Sequence, residues 1–219
     1  MNITPLLTAA LSIVQRLLEL DARAWEAIAN TVLRLFGRGE PESSYENVSL
    51  SIELELCDTK GKRAVLRRRQ RVRFLSEEAG VVRDVIWGEG KTLAGYSVDG
   101  AELLSVRHEG SKKVVLLGLP TRPGKGEGIT LKTERTILDG FRPSEGYLET
   151  GVERATARLR LRVLFPPDRF PTRVRVESSP PLIATHSLAV RLTESGKSYA
   201  TWGIEDPKRL VTYRIRWTW

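Results

Sequence analysis

The sequence predicts a mainly β protein: an antiparallel β-sandwich, one large or two small, preceded by a long amino-terminal amphipathic helix or helix pair. Three observations carry this. Apolar residues up to Gly37 recur at a spacing of three and four. After Tyr45 the spacing changes to two. Beyond Gly37 no run of ten residues reads as a helix, and Gly, Pro, Asp and Ser punctuate short alternating stretches.

The first segment, residues 1–37, opens with Thr4 as an N-cap and Pro5 at the first helical position, and closes on Gly37. Leu7, Leu11, Val14, Leu18, Trp25, Ile28, Val32 and Leu35 form its apolar stripe, with one break near Asp21. A second row, from Leu6 to Leu20, widens the face. Its charges cancel: Arg16, Arg23 and Arg34 against Glu19, Asp21 and Glu26. A membrane-surface helix carries a Lys- and Arg-rich polar face, so membrane contact is not expected. The run from Pro5 to Leu20 contains Gln15, Arg16 and Glu19, which makes it a poor membrane span. No basic residue precedes it and no cleavage site follows, unlike a signal peptide. A cytoplasmic location is the expectation. The stripe either packs on the chain's own β region or docks a protein partner or a second copy. Residues 38–44 read as a polar linker.

Residues 45–219 form the β region. Leu50, Ile52, Leu54 and Leu56 alternate with polar residues, and Asp58 to Gly61 make a turn. The return strand places Ala64, Leu66, Val72 and Phe74 on one face, interrupted by Arg68 and Gln70. Pairing Leu54 with Leu66 sets Glu53 opposite Arg67. Further strands are expected over 81–87, 93–98, 102–108, 112–119, 129–138, 156–165, 173–177, 187–192, 199–204 and 211–219. The stretch 120–128 reads as a hairpin loop or as a boundary between two small sandwiches. Proline pairs at 166–167 and 180–181 fix late turns.

The chain has 35 Lys and Arg against 27 Asp and Glu, a net charge of +8, and the excess lies wholly in residues 38–219. Lys62 to Arg73 holds seven basic residues and no acid. Arg158, Arg160 and Arg162, like Arg214 and Arg216, are spaced two apart and so project from one sheet face. Such rows serve either a solvated or protein-facing surface, or a polyanion surface built on Arg67, Arg69, Arg71 and Arg73. The aromatics Phe74, Tyr213, Trp217 and Trp219 fall on the opposite strand face, which disfavours base stacking.

Little else suggests chemistry. One cysteine and two histidines exclude a disulfide framework and a multi-cysteine metal site. Gly88 to Thr92 ends like a phosphate-binding loop but lacks its leading glycine, with Val85 in that place. Cys57 reads as a half-buried structural residue. His108 and His186 lie far apart, with no serine elbow for a triad. No cofactor and no catalytic residue is expected. A small ligand in a barrel-like mouth is a third class that these features leave open.

The stretch Gly61 to Leu75, the run Trp87 to Gly90, the Phe165-Pro166-Pro167 turn and the closing Tyr213 to Trp219 together resemble uncharacterised β-rich accessory domains of bacterial conflict and defence systems. The resemblance covers about residues 45–219 and implies a non-enzymatic adaptor beside a peptidase, nuclease or nucleotide-sensing partner. The expected function is therefore docking, through the helix and the basic β surface. The alternative is nucleic-acid or polyanion binding by strand-spaced arginines.

Overall fold

The computed structural model describes residues 44–77, 80–87, 91–110, 112–141, 144–179 and 186–219. The expected helix over 1–37, with its stripe from Leu7 to Leu35, lies outside the described residues. Fourteen strands are described: β1 (Tyr45–Leu56), β2 (Arg63–Phe74), β3 (Val81–Ile86), β4 (Lys91–Asp99), β5 (Glu102–Glu109), β6 (Lys112–Gly118), β7 (Gly128–Leu138), β8 (Glu145–Gly151), β9 (Arg158–Leu164), β10 (Arg173–Ser179), β11 (His186–Ser187), β12 (Arg191–Leu192), β13 (Ser198–Glu205) and β14 (Thr212–Thr218). The chain is mainly β, and no helix is found among the described residues.

The strands form three sheets. The first has seven strands in the order β12-β13-β9-β1-β2-β7-β4. The second has four, β11-β10-β14-β8, and the third has three, β3-β6-β5. The β1–β2 hairpin has the expected register, with Leu54 opposite Leu66 and Glu53 opposite Arg67. Three features differ from expectation. First, the pairing is not wholly antiparallel, because β1 pairs β9 in parallel. Parallel neighbours need a crossover, and here the chain reaches β9 from β8, which lies in a different sheet. Second, β8 was not expected. Third, the strand expected over 187–192 is two short pieces, β11 and β12, in different sheets.

The apolar alternation explains how the sheets pack. Inward residues of β1, β2, β7 and β9 (Leu50, Ile52, Leu54, Leu66, Ile137, Leu159, Leu161) meet Leu148, Val174, Ile215 and Trp217 of the four-stranded sheet in one core. Phe165 meets the Trp217 ring edge-on, with centroids 5.8 Å apart. A second core joins Val72, Phe74 and Leu131 of the same long strands to Val82, Ile86, Val115 and Leu117 of the three-stranded sheet. The seven-stranded sheet thus supports both smaller sheets.

A polar layer separates the two cores. It lies where inward positions carry Asn47, Arg68, Gln70, Asp84, Thr133 and Arg135 instead of apolar side chains. Buried polar groups of this kind must find partners, and these largely do. Gln70 Nε2 donates to Asn47 Oδ1 (2.7 Å), and Asn47 Nδ2 donates to Thr156 Oγ1 (3.0 Å). Arg68 pairs with Asp84, whose other oxygen accepts from the Tyr96 hydroxyl at 3.1 Å.

Candidate functional site: the basic sheet face

Arg214 and Arg216 lie on β14 of the four-stranded sheet and pair with Glu149, Glu145 and Glu177, whereas the outward face of the seven-stranded sheet gathers the arginine rows of β2 and β9. Cross-strand register resolves them into two kinds. One row runs Glu134 (β7), Arg67 (β2), Glu53 (β1), Arg162 (β9) and Thr201 (β13). Its charges alternate and pair. Arg67 Nε donates to Glu134 (2.8 Å) and its Nη1 to Glu55 (2.8 Å), while Arg162 Nη1 donates to Glu53 (3.2 Å). The neighbouring row runs Lys132, Arg69, Ser51, Arg160 and Gly203. It has three cations and no acid until Asp99, at the far side of Lys132. Arg71 follows beyond Arg69, between Thr130 and Ser49.

The four arginines expected to bind a polyanion therefore divide. Arg67 is held by three carboxylates, and Arg73 by Glu46. Arg69 and Arg71 are exposed and have no partner among the described residues. Arg160, two strands from Arg69, makes among the described residues only a long contact to Thr201 Oγ1 (3.4 Å). Strands lie about 4.8 Å apart, so the two guanidinium stems rise roughly 10 Å from each other. Ser51 of β1 lies between them, and Gly203 of β13 flanks Arg160 on its other side, so the neighbouring side chains are small.

Electrostatics sharpen the contrast. Hydrogen bonds from Lys197 and Arg67 hold the Glu55 carboxyl below the usual range against its partial burial. The hydrogen bond to Glu55 in turn raises the Arg67 guanidinium, against its own burial. This corner of the sheet is internally neutralised. The corner at Arg69, Arg71 and Arg160 is where uncompensated positive charge faces outward.

Nothing in the remaining sequence candidates assembles a reactive centre. Cys57 is exposed, not half-buried as expected, because it lies just past the end of β1. Partial burial of its sulfur, then the Glu55 charge, push the thiol pKa up, the opposite of an activated nucleophile. His108 is on β5 and His186 on β11, in different sheets. Residues 88–90, the start of the stretch that ends like a phosphate-binding loop, lie outside the described residues. Among the described residues no group of His, Cys, Asp and Glu could hold a metal ion, and no helix is long and apolar enough to cross a membrane.

Sequence reasoning noted Arg68 and Gln70 as interruptions and passed over Arg135 and Asp84. The signal was present. Arg135 keeps the inward phase of β7 between Thr133 and Ile137, and Asp84 that of β3 between Val82 and Ile86. Inward charge on neighbouring strands marks a buried polar site, but the pairing of β7 with β2 is needed to see that it converges.

No protein-family model and no curated protein matches the sequence. Solved structures do match in fold. A suspected protease from Parabacteroides distasonis is similar at 11% identity and a TM-score of 0.50, over 81% of this chain and 41% of that one. An M1 zinc metallopeptidase from Deinococcus radiodurans gives 12% identity and a TM-score of 0.45, over 78% of this chain and 42% of that one. Yeast LTA4 hydrolase gives 8% and 0.47, over 80% and 29%. The chain spans less than half the length of these structures, and at such identities the likeness is one of fold.

Proposed function

We propose that this chain is a non-enzymatic docking module whose basic sheet face binds an acidic protein surface. The observation that carries the reading is the uncompensated row of Arg69, Arg71 and Arg160 beside a fully paired one. Arginines are commonly neutralised across strands, as Arg67 and Arg162 are here. Three that are left open beside the small side chains of Ser49 and Ser51 present fork-shaped donors suited to carboxylates. An accessory role in a bacterial defence or signalling system, with the helix expected from the sequence over residues 1–37 as a second docking element, belongs to the same reading.

An acidic protein is favoured over nucleic acid because, among the described residues, no aromatic side chain neighbours Arg69, Arg71 or Arg160 across the strands, and Tyr199 on the same face already has the Arg162 guanidinium over its ring, 4.5 Å from the centroid. Val72, Phe74 and Trp217 point into the cores, so single-stranded bases would find no stacking platform. The test is a titration of the full chain with poly-glutamate and with a single-stranded oligonucleotide, at low and raised salt. Arg69→Glu with Arg71→Glu should weaken poly-glutamate binding by about tenfold or more, roughly 1.4 kcal/mol. Equal binding by the reversed variant removes the assignment. Preferential, strongly salt-dependent binding of the oligonucleotide transfers it to nucleic acid.

A further inference from the structure

A cavity of about 250 Å³ lies on the inner side of the seven-stranded sheet, beside the polar layer. Its floor is apolar, formed by Ile52, Leu54, Leu66 and Ile137. One part of its wall is charged, with Arg68, Asp84, Arg135, Glu145, Glu149 and Arg216. Most of these charges are already answered. Asp84 is held by Arg68 and by the Tyr96 hydroxyl. Glu149 accepts from Arg214 Nε at 2.9 Å. Arg216 is paired in charge, 3.8 Å from Glu145 and 4.0 Å from Glu177, although its Nε is buried without a hydrogen-bond acceptor.

Arg135 differs in having no carboxylate at ion-pair distance among the described residues. It is only 6% exposed. Its Nη1 donates to the Thr92 carbonyl (2.8 Å), and it has no other hydrogen bond and no ion pair among the described residues. Burial pushes the guanidinium pKa down from its ordinary value. That value is so high that the group stays charged at neutral pH. A buried cation with one neutral acceptor is costly to keep, and Arg68 Nε close by is also buried without an acceptor. Two cations against Asp84 leave this end of the cavity one positive charge in excess.

We propose that the cavity binds a small organic anion with an apolar body, its acidic head taken by Arg135 and its body lying on Leu54, Leu66 and Ile137. The fork of the guanidinium fits a carboxylate. The apolar floor selects for a hydrocarbon or aromatic body over a bare inorganic ion. The volume, equal to roughly eight waters at ~30 Å³ each, sets the size as small. The site is on the opposite face from the docking strip and stands independently of it.

The test uses the full chain and four probes: phenylacetate, hexanoate, neutral phenylacetamide and inorganic phosphate. At a concentration tenfold above its Kd, a bound carboxylate raises Tm by roughly 3–6 °C. The expected result is a rise with phenylacetate or hexanoate, at most a small one with phenylacetamide or phosphate, and loss of the rise in Arg135→Met. No response to either carboxylate up to tens of millimolar overturns the proposal. So does an equal response to the acid and its amide, since the head would then not be read. An equal response to phosphate overturns the apolar half. Should Arg135→Met fail to fold by circular dichroism, the acid–amide comparison on the unaltered chain still decides the matter.

Discussion

Glu55 shows how a single side chain is tuned by its neighbours on this sheet. It stands at the crossing of three elements: its own strand β1, Arg67 of β2 and Lys197 just before β13. Both cations bond its carboxylate, Arg67 at 2.8 Å and Lys197 at 2.5 Å. These bonds favour the charged form and depress its folded-state pKa. A depressed folded pKa stabilises the fold above the unfolded value of about 4.3 and ceases to do so as pH falls through the folded value. Glu55→Gln should therefore be less stable than the unaltered chain at pH 7. The gap should narrow as the pH falls below the unfolded value and through the lowered folded one, where the native carboxyl is protonated too. Urea unfolding of both chains at pH 7, 5 and 3 reads this directly. A gap that is constant across the series would mean that shape, not charge, is what Glu55 contributes.

At the scale of elements, the β1–β2 hairpin was the most legible part of the fold, and β8 the least. The hairpin could be read because its signals are local: alternation on both sides of a turn that contains glycine. In the structure Asp58 Oδ1 accepts from the Lys60 and Lys62 amides, and Oδ2 from the Arg63 amide. Partial burial raises the Asp58 pKa, and these backbone bonds overcome that and lower it. Gly61 has φ +70°, and a Cβ there would meet the Phe141 carbonyl oxygen at 2.8 Å. Gly61→Ala should cost about 1–3 kcal/mol, from the left-handed backbone and the close approach together. A chemical-denaturation midpoint unchanged from the parent would contradict this. Strand β8 (EGYLETG) gave no such signal. Its inward positions are Gly146, Leu148 and Thr150, so only one is a large apolar residue. The reason is tertiary: the Trp217 ring occupies the space over Gly146, where a Cβ would come within 2.3 Å of it. The bulge between Asn47 and Ser49 was equally hidden. It shifts the inward phase from Tyr45 and Asn47 to Leu50 and Ile52, and only the partner strand reveals it. The candidate surface divides in the same way. Strand-spaced arginines were readable, but which are free depends on β7 and β9, whose pairing with β2 and β1 is long-range.

For the whole molecule, the question is whether two cores on one sheet behave as one body. Strands β1 and β2 contribute apolar residues to both cores, and the polar layer crosses them midway. The layer is therefore either a joint or a seam. Its central element is the Arg68–Asp84 pair, with side chains 14% and 6% exposed. Removing Arg68 takes away the carboxylate's ion-pair partner and leaves Asp84 with the Tyr96 hydroxyl and the charge of nearby Arg135. Losing one member of a buried pair typically costs about 3–5 kcal/mol, and the remaining cation keeps the loss toward the lower figure. The double variant Arg68→Met/Asp84→Leu leaves Arg135 a buried cation with no carboxylate beside it, so it should not recover the loss. Urea unfolding checks this, and a double variant markedly more stable than Arg68→Met would contradict it. The single variant also separates joint from seam. Tryptophans 202, 217 and 219 pack in or against the first core, so with Trp25 and Trp87 replaced by Phe the remaining fluorescence reports it. Amide exchange at Val115 and Leu117 reports the second. Because β1 and β2 run unbroken through both, the first core cannot lose these strands without exposing Val72 and Phe74 of the second. Arg68→Met should therefore lower both signals together, in one transition. If amide protection at Val115 and Leu117 is lost at lower denaturant than the tryptophan signal, the cores are separable and the pair is a seam between them.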